Sequence, residues 1–101
     1  MKYQLILQWP TSKLDYDAMI AIEELVMAEF TGDHVVDGHD AGSGEMNVFI
    51  LTDDPLGAFR EVRSILGAHP AWPGLRAAYR DLDEEGFTIV WPKGLASFDI
   101  A

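Results

Sequence analysis

Residues 46–55 of this chain read MNVFILTDDP and contain the two signals on which the fold prediction depends. The first seven letters form a nearly continuous apolar run, which is typical of a central strand buried in a sheet. Asp54 followed by Pro55 then predicts the start of a helix, because aspartate is a favoured N-cap and proline is accepted at the first helical position. We therefore expect a buried strand that leads directly into a helix.

The chain on either side of this stretch supplies the other elements of the predicted fold. They are a strand over residues 3–9, a helix over about 13–30 capped by Thr11 or Ser12, a strand over 34–37 or slightly beyond, a glycine-rich connection over 38–45, a helix over 55–66, strands over 75–82 and 87–91, and a tail over 93–101. The order β-α-β-β-α-β plus one strand predicts a ferredoxin-like α+β fold, an antiparallel sheet with two helices on one face. We expect residues 1–101 to form one such domain.

The alternation of residues indicates which faces are buried. In the first strand Leu5 and Leu7 are expected to face the helices, and Ile6 the open face of the sheet. An open face of mixed polarity either pairs with a second copy, as in dimeric ferredoxin-like barrels, or binds another molecule. The polar positions of the second helix, which are Arg60, Glu61, Arg63 and Ser64, are expected to face water.

Composition and charge exclude several classes of protein. The chain has 101 residues, of which 49% are hydrophobic and 24% charged, as in ordinary globular domains. Its 17 Asp and Glu residues against 7 Lys and Arg give a net charge of -10, which argues against a nucleic-acid partner. Cysteine is absent, so disulfides and thiolate chemistry are excluded. Without a secretory signal or a long apolar stretch, the sequence predicts a cytoplasmic protein with no membrane partner.

Acidic residues are concentrated between Gly32 and Asp54, a segment that contains six carboxylates and no Lys or Arg. It also holds two of the three histidines. We expect a binding surface here, formed by Asp37, His39, Asp40, Ser43 and Glu45. The alternative is structural: Asp37, Asp40 and Ser43 bond to turn amides, and the glycines supply positive φ angles.

The same segment contains candidate metal ligands and catalytic residues. His34, Asp37 and His39 have donor atoms that suit zinc or iron, but their spacing matches no established metal motif, so we predict no metal and no cofactor. An enzyme is the alternative function. It would use the same three residues with Glu45 and with Arg80 or Tyr79 from a neighbouring strand, where Arg80 would hold an anionic substrate group and a histidine would transfer protons.

A second apolar line on the first helix, formed by Tyr16, Ile20 and Met27, lies roughly opposite the stripe that should face the sheet. An amphipathic helix on one face of a sheet does not need such a line. Two explanations remain open: the tail over residues 95–100 covers it, or it contacts a partner, including a second copy of this chain.

The segment GHDAGSGEMNVFILTDDP over residues 38–55, with residues 78–82 and 88–92, resembles a small family of bacterial single-domain α+β proteins. That family shares a segment of the form GHDxGSGEMNxFIxTDDP. The resemblance implies a stand-alone cytoplasmic domain, and it implies no activity, cofactor or catalytic residue.

The charge pattern favours a non-catalytic binding or regulatory module over an enzyme. Its acidic side, residues 33–54, would face a basic protein partner, and the chain would form a homodimer. The alternative is a small-molecule or metal-dependent enzyme that uses the loop from His34 to Glu45.

Overall fold

Residues 1–100 of the chain are described in a computed structural model. The elements are β1 (Tyr3–Pro10), α1 (Tyr16–Glu29), β2 (Val35–Gly42), β3 (Glu45–Thr52), α2 (Pro55–Leu66), a short 3-10 helix (Trp72–Gly74), β4 (Arg76–Asp81) and β5 (Thr88–Trp91). Within these residues, neither helix combines the length and the apolar character that crossing a membrane requires.

The five strands form one antiparallel sheet in the order β2-β3-β1-β4-β5. The first four strands with α1 and α2 make the ferredoxin-like α+β arrangement that the sequence predicts. The additional strand, β5, pairs with β4 at one edge of the sheet. β2 forms the other edge, so the acidic segment runs along an outer strand.

The core lies between the sheet and the two helices. Leu5, Leu7 and Trp9 of β1 are fully buried in it, against Val26 of α1 and Val62 of α2. The indole Nε1–H of Trp9 donates to the carbonyl of Ala71 at 2.9 Å, so its one polar atom is satisfied inside the core. The predicted orientation of β1 is therefore confirmed.

The first helix begins later than the sequence suggests. Asp15 is its N-cap, and the Asp15 carboxylate accepts the backbone N–H of Ala18 at 2.7 Å, so the expected cap at Thr11 or Ser12 is wrong. The backbone N–H of Thr11 donates to the carbonyl of Gly44, and that of Lys13 to the carbonyl of Pro10. These bonds hold residues 11–13 in a turn after β1, which delays the helix. The cap at Asp54 is confirmed, because its carboxylate accepts the N–H of Gly57 at 3.0 Å.

The hairpin between β2 and β3 is tighter than the predicted glycine-rich loop. Ser43 and Gly44 have φ angles of 52° and 84°, and they alone connect the two strands. Two consecutive residues with positive φ form the mirror-image turn that suits the twist of a hairpin. Most of the expected loop over residues 38–45 is therefore strand. Its regular pairing is interrupted only by a bulge between Val36 and Gly38.

The tail packs on the sheet face opposite the helices. The side-chain amide of Gln8, which is buried on that face, donates to the carbonyl of Asp99 at 2.9 Å. Phe98 meets Phe87 edge-on, with ring centroids 5.3 Å apart. The tail therefore covers part of the open face, and it does not cover the apolar line on α1.

Candidate functional site

A cleft of about 1080 Å³ lies at the end of the sheet where β1 begins and β3 ends. Its walls come from the last turns of α1, the loop between α1 and β2, the end of β3 and successive turns of α2. In a ferredoxin-like fold both loops leave the sheet at the same end. Residues 31–34 and residues 52–54, although distant in sequence, therefore meet in this cleft.

His34 lines the cleft, and only 8% of its side chain is exposed. Its Nε2 lies 2.9 Å from Glu61 Oε2, and its Nδ1 lies 2.8 Å from Thr52 Oγ1. Because Thr52 Oγ1 already accepts the backbone N–H of Asp54 at 2.9 Å, its own proton is available for His34. The arrangement fits a neutral ring that donates from Nε2 to Glu61 and accepts at Nδ1 from Thr52.

Glu61 is the most heavily bonded carboxylate of the cleft. It accepts the backbone N–H of Thr31 at 2.6 Å, the Thr31 hydroxyl at 2.8 Å and the backbone N–H of Gly32 at 3.2 Å. The two bonds from Thr31 lower the pKa of Glu61 below its usual value, against the opposing effect of burial, and the N–H of Gly32 and the His34 ring add to the lowering. Glu61 is therefore a fixed anion that joins α2 to the loop after α1.

Gly32 packs closely against the ends of the His34 and Glu61 side chains. A Cβ atom at residue 32 would lie 2.7 Å from His34 Nε2 and 2.9 Å from Glu61 Oε2, and real Cβ atoms do not approach other atoms so closely. A Cβ at residue 32 would therefore force the ends of the His34 and Glu61 side chains to shift.

The charges that line the cleft are strongly unequal. Five carboxylates line it, those of Glu29, Asp33, Asp53, Asp54 and Glu61, and among residues 1–100 the one Lys or Arg that lines it is Arg60. Glu29, Asp33, Asp53 and Asp54 are exposed. A cavity lined by one sign of charge attracts ligands of the other sign, so this cleft favours a cation.

His39 lies elsewhere, on the helix side of β2, where it is paired with Val48 in the sheet. Its Nδ1 is 3.1 Å from both carboxylate oxygens of Glu23, and its Nε2 is 3.1 Å from Tyr16 Oη. Since His34 and His39 have different partners, the structure does not bring the candidate metal ligands His34, Asp37 and His39 together. In the described part of the chain, no three His, Cys, Asp or Glu side chains are grouped to hold a metal ion.

The other residues of the predicted binding surface follow the hairpin away from the cleft. Asp37, Asp40 and Ser43 are exposed along β2 and its turn. Glu45 lies 3.4 Å from the guanidinium of Arg76. These four side chains do not line the cleft. The two ends of the acidic segment therefore line the cleft, and its middle forms the hairpin of β2 and β3.

Arg80 and Tyr79 line a second, smaller cleft of about 470 Å³. Arg80 Nε donates to Gln4 Oε1 at 2.9 Å, and the Tyr79 ring meets Tyr3 edge-on. Neither residue lines the cleft of His34. The catalytic candidates His34, His39, Glu45 and Arg80 therefore occupy separate places.

The apolar line on α1 is only partly exposed. Tyr16 and Met27 are 49% and 57% exposed, whereas Ile20 is partly buried against the core. Two of the three candidate interface residues are therefore accessible to a partner.

Sequence reasoning missed Thr31, Thr52 and Glu61, which are central to the cleft. Glu61 was expected to face water, but only 23% of its side chain is exposed. The signal that could have found these residues is topological, because the predicted β-α-β-β-α-β order already places the loop before β2 and the end of β3 at one end of the sheet.

No known protein family, curated protein or solved structure matches this chain. The resemblance of residues 38–55 to a bacterial family therefore stays a prediction.

Proposed function

We propose that this protein is a non-catalytic binding module whose acidic cleft receives basic side chains of a protein partner. The observation that carries the proposal is the lining of the cleft, with five carboxylates and, within the described chain, one arginine. Four of these carboxylates, those of Glu29, Asp33, Asp53 and Asp54, belong to exposed residues that a ligand can reach. Lysine and arginine side chains supply the complementary charge.

The size of the cleft supports a peptide segment rather than a single ion. Its volume of about 1080 Å³ is slightly above the range of roughly 300–1,000 Å³ that is usual for small-ligand sites. An extended stretch of chain with two basic side chains fits in such a volume, and the four exposed carboxylates are distributed over both loops and α1.

The hydrogen bonds of His34 favour a structural role in the wall of the cleft over a catalytic role. Glu61, His34 and Thr52 form a carboxylate, imidazole and hydroxyl series of the kind that activates nucleophiles. Thr52, however, is 0% exposed, and its oxygen already accepts the N–H of Asp54. We therefore assign these three residues to the support of the cleft wall.

The overall charge supports a basic protein partner and not a nucleic acid. A net charge of -10 repels phosphates and steers basic surfaces toward the chain. Two acidic clefts would repel each other, so in the homodimer that we propose the two copies would meet elsewhere. The exposed Met27 of α1 supports such a contact. The proposed cytoplasmic setting rests on the signals absent from the sequence and on the resemblance of residues 38–55, and the proposed bacterial setting rests on that resemblance alone.

The test is binding of an oligo-lysine and an oligo-arginine peptide to the full chain, measured by isothermal titration calorimetry at low and at high salt. The double variant Glu29→Gln/Asp33→Asn removes two exposed carboxylates of the cleft that cap no helix. We expect it to weaken binding about 5- to 10-fold, because each exposed charge pair contributes up to about 1 kcal/mol. Affinity should fall further as salt is added.

The matched control is Asp83→Asn/Glu84→Gln, which changes the net charge equally in the turn between β4 and β5. We expect this variant to bind the peptides as the unaltered chain does. Equal weakening by both double variants would mean that only net charge matters, and the proposed role of the cleft would be wrong.

A further inference from the structure

Tyr16, His39 and Glu23 form a connected series outside the acidic cleft. Tyr16 and Glu23 are seven residues apart on α1, which is about two turns and places both on one side of the helix. His39 reaches them from β2, because the bulge after Val36 sets its register opposite Val48 and directs it to the helix side. The sheet and the helix therefore build the series together.

The hydrogen bonds determine where the protons lie. Both oxygens of the Glu23 carboxylate are 3.1 Å from His39 Nδ1, so Nδ1 carries a proton and donates it. In the neutral ring Nε2 then has a free electron pair, and this atom is 3.1 Å from Tyr16 Oη. The phenol O–H of Tyr16 therefore donates to His39 Nε2.

This order of groups is the one that activates a hydroxyl nucleophile, with a base in reach of the hydroxyl and a carboxylate that orients the base. The exposure of the three side chains suits that role. Glu23 is 12% exposed and fixed, His39 is 30% exposed, and Tyr16 is 49% exposed. A reagent in solution can reach the phenol oxygen while the other two groups stay in place.

We propose that Tyr16 is a base-activated nucleophile that accepts an acyl group from an activated carboxylic ester. The phenol oxygen forms a bond to the carbonyl carbon as its proton passes to His39 Nε2. The bond from that carbon to the leaving oxygen then breaks, and the proton passes to the leaving group. The products are O-acyl-tyrosine and a free alcohol or phenol.

The charge around Tyr16 selects among electrophiles. Asp15 and Asp17, its neighbours in the chain, are exposed carboxylates at the start of α1. Their field repels anionic reagents such as phosphoryl donors and admits neutral or cationic esters. Acyl transfer from a neutral ester is therefore the chemistry that the site fits, and it is independent of binding in the acidic cleft.

The experiment exposes the full chain to p-nitrophenyl acetate and locates acetyl groups by peptide mass spectrometry at successive times. Tyr3 and Tyr79, which are partly buried tyrosines without a histidine partner, are internal references. We expect Tyr16 to be acetylated first. His39→Gln should slow acetylation of Tyr16 about 100-fold, the usual contribution of a general base.

Glu23 is a positioning residue that orients the His39 ring. The variant Glu23→Gln tests this role through the NMR spectrum of that ring. The ¹⁵N spectrum of the His39 ring should show Nδ1–H in the unaltered chain and a mixture of tautomers in the variant, with slower acetylation of Tyr16. Thermal unfolding of each variant checks that it is folded. Two results would overturn the proposal. In the unaltered chain, Tyr16 would be acetylated no faster than Tyr3 and Tyr79. In the folded His39→Gln variant, Tyr16 would be acetylated at the same rate as in the unaltered chain.

Discussion

The chain contains two carboxylate, histidine and hydroxyl series that differ mainly in burial. Glu61, His34 and Thr52 are closed: the His34 side chain is 8% exposed and Thr52 is 0% exposed. Glu23, His39 and Tyr16 are open: the histidine is 30% and the tyrosine 49% exposed. We call these the closed series and the open series.

The difference shows that chemical composition alone does not separate a structural cluster from a reactive one. In the closed series Thr52 is fully buried, and the oxygens of Glu61 accept hydrogen bonds from the backbone amides of Thr31 and Gly32. That bonding holds two loops and a helix together. In the open series Tyr16, which carries the hydroxyl, is about half exposed, so a second molecule can approach it.

The largest expected effect on stability comes from His34→Ala. The substitution removes the acceptor of the Thr52 hydroxyl proton and opens a space beside Glu61, so we expect a loss of about 2–3 kcal/mol in the free energy of unfolding. His39→Ala in the open series should cost less than about 1 kcal/mol, because the hydrogen bonds of His39 to Glu23 and Tyr16 are partly exposed to water. Urea denaturation of both variants measures the contrast. Equal losses would mean that the two series do not differ as their burial suggests.

A smaller effect is expected from Gly32→Ala, which alters the closed series without removing any polar group. The added Cβ would meet His34 and Glu61, so we expect a loss of about 1–2 kcal/mol from the local shift it forces. Gly42→Ala, at the end of β2, is the matched control, because a Cβ there meets nothing within 4 Å. If both variants unfold at the same temperature as the unaltered chain, the loop is not packed against Glu61.

The smallest expected effect is from Glu61→Gln, about 1 kcal/mol at neutral pH, because an amide keeps one acceptor oxygen for Thr31. Since the pKa of Glu61 is lowered in the folded chain, its contribution to stability is present above the usual value of 4.5 and is lost as pH falls through the folded value. The difference between the two proteins in thermal unfolding should therefore shrink below pH 4.5.

Glu24→Gln is the control for this pH dependence, because Glu24 is an exposed carboxylate of α1. The same acid dependence in both variants would assign the effect to net charge and not to the bonds from Thr31 and Gly32.

The fold was predictable because its signals are local. Residues 46–55 carry the strand, the cap and the proline that define β3 and the start of α2, and both appear as expected. The start of α1 was not predictable from the propensities of Thr11 and Ser12. A long-range bond from Thr11 to Gly44 holds that segment in a turn, and no local pattern contains it.

The candidate site was predictable only in part. The acidic segment contributes Asp33, His34, Asp53 and Asp54 to the cleft, but its middle does not reach it. Glu61 was missed because helical spacing places it among polar positions, and a polar position next to a loop is indistinguishable in sequence from one that faces water.

By itself the sequence determined the order of the elements, the buried faces of β1 and β3 and the strong negative charge, because these depend on the spacing of apolar residues and on composition. The tertiary structure alone decided that one histidine would be closed and the other open. Sheet topology brings Thr52 and Glu61 around His34, and one bulge turns His39 toward α1. Contacts between residues distant in the chain are set by how the elements pack, and burial is a property of that packing.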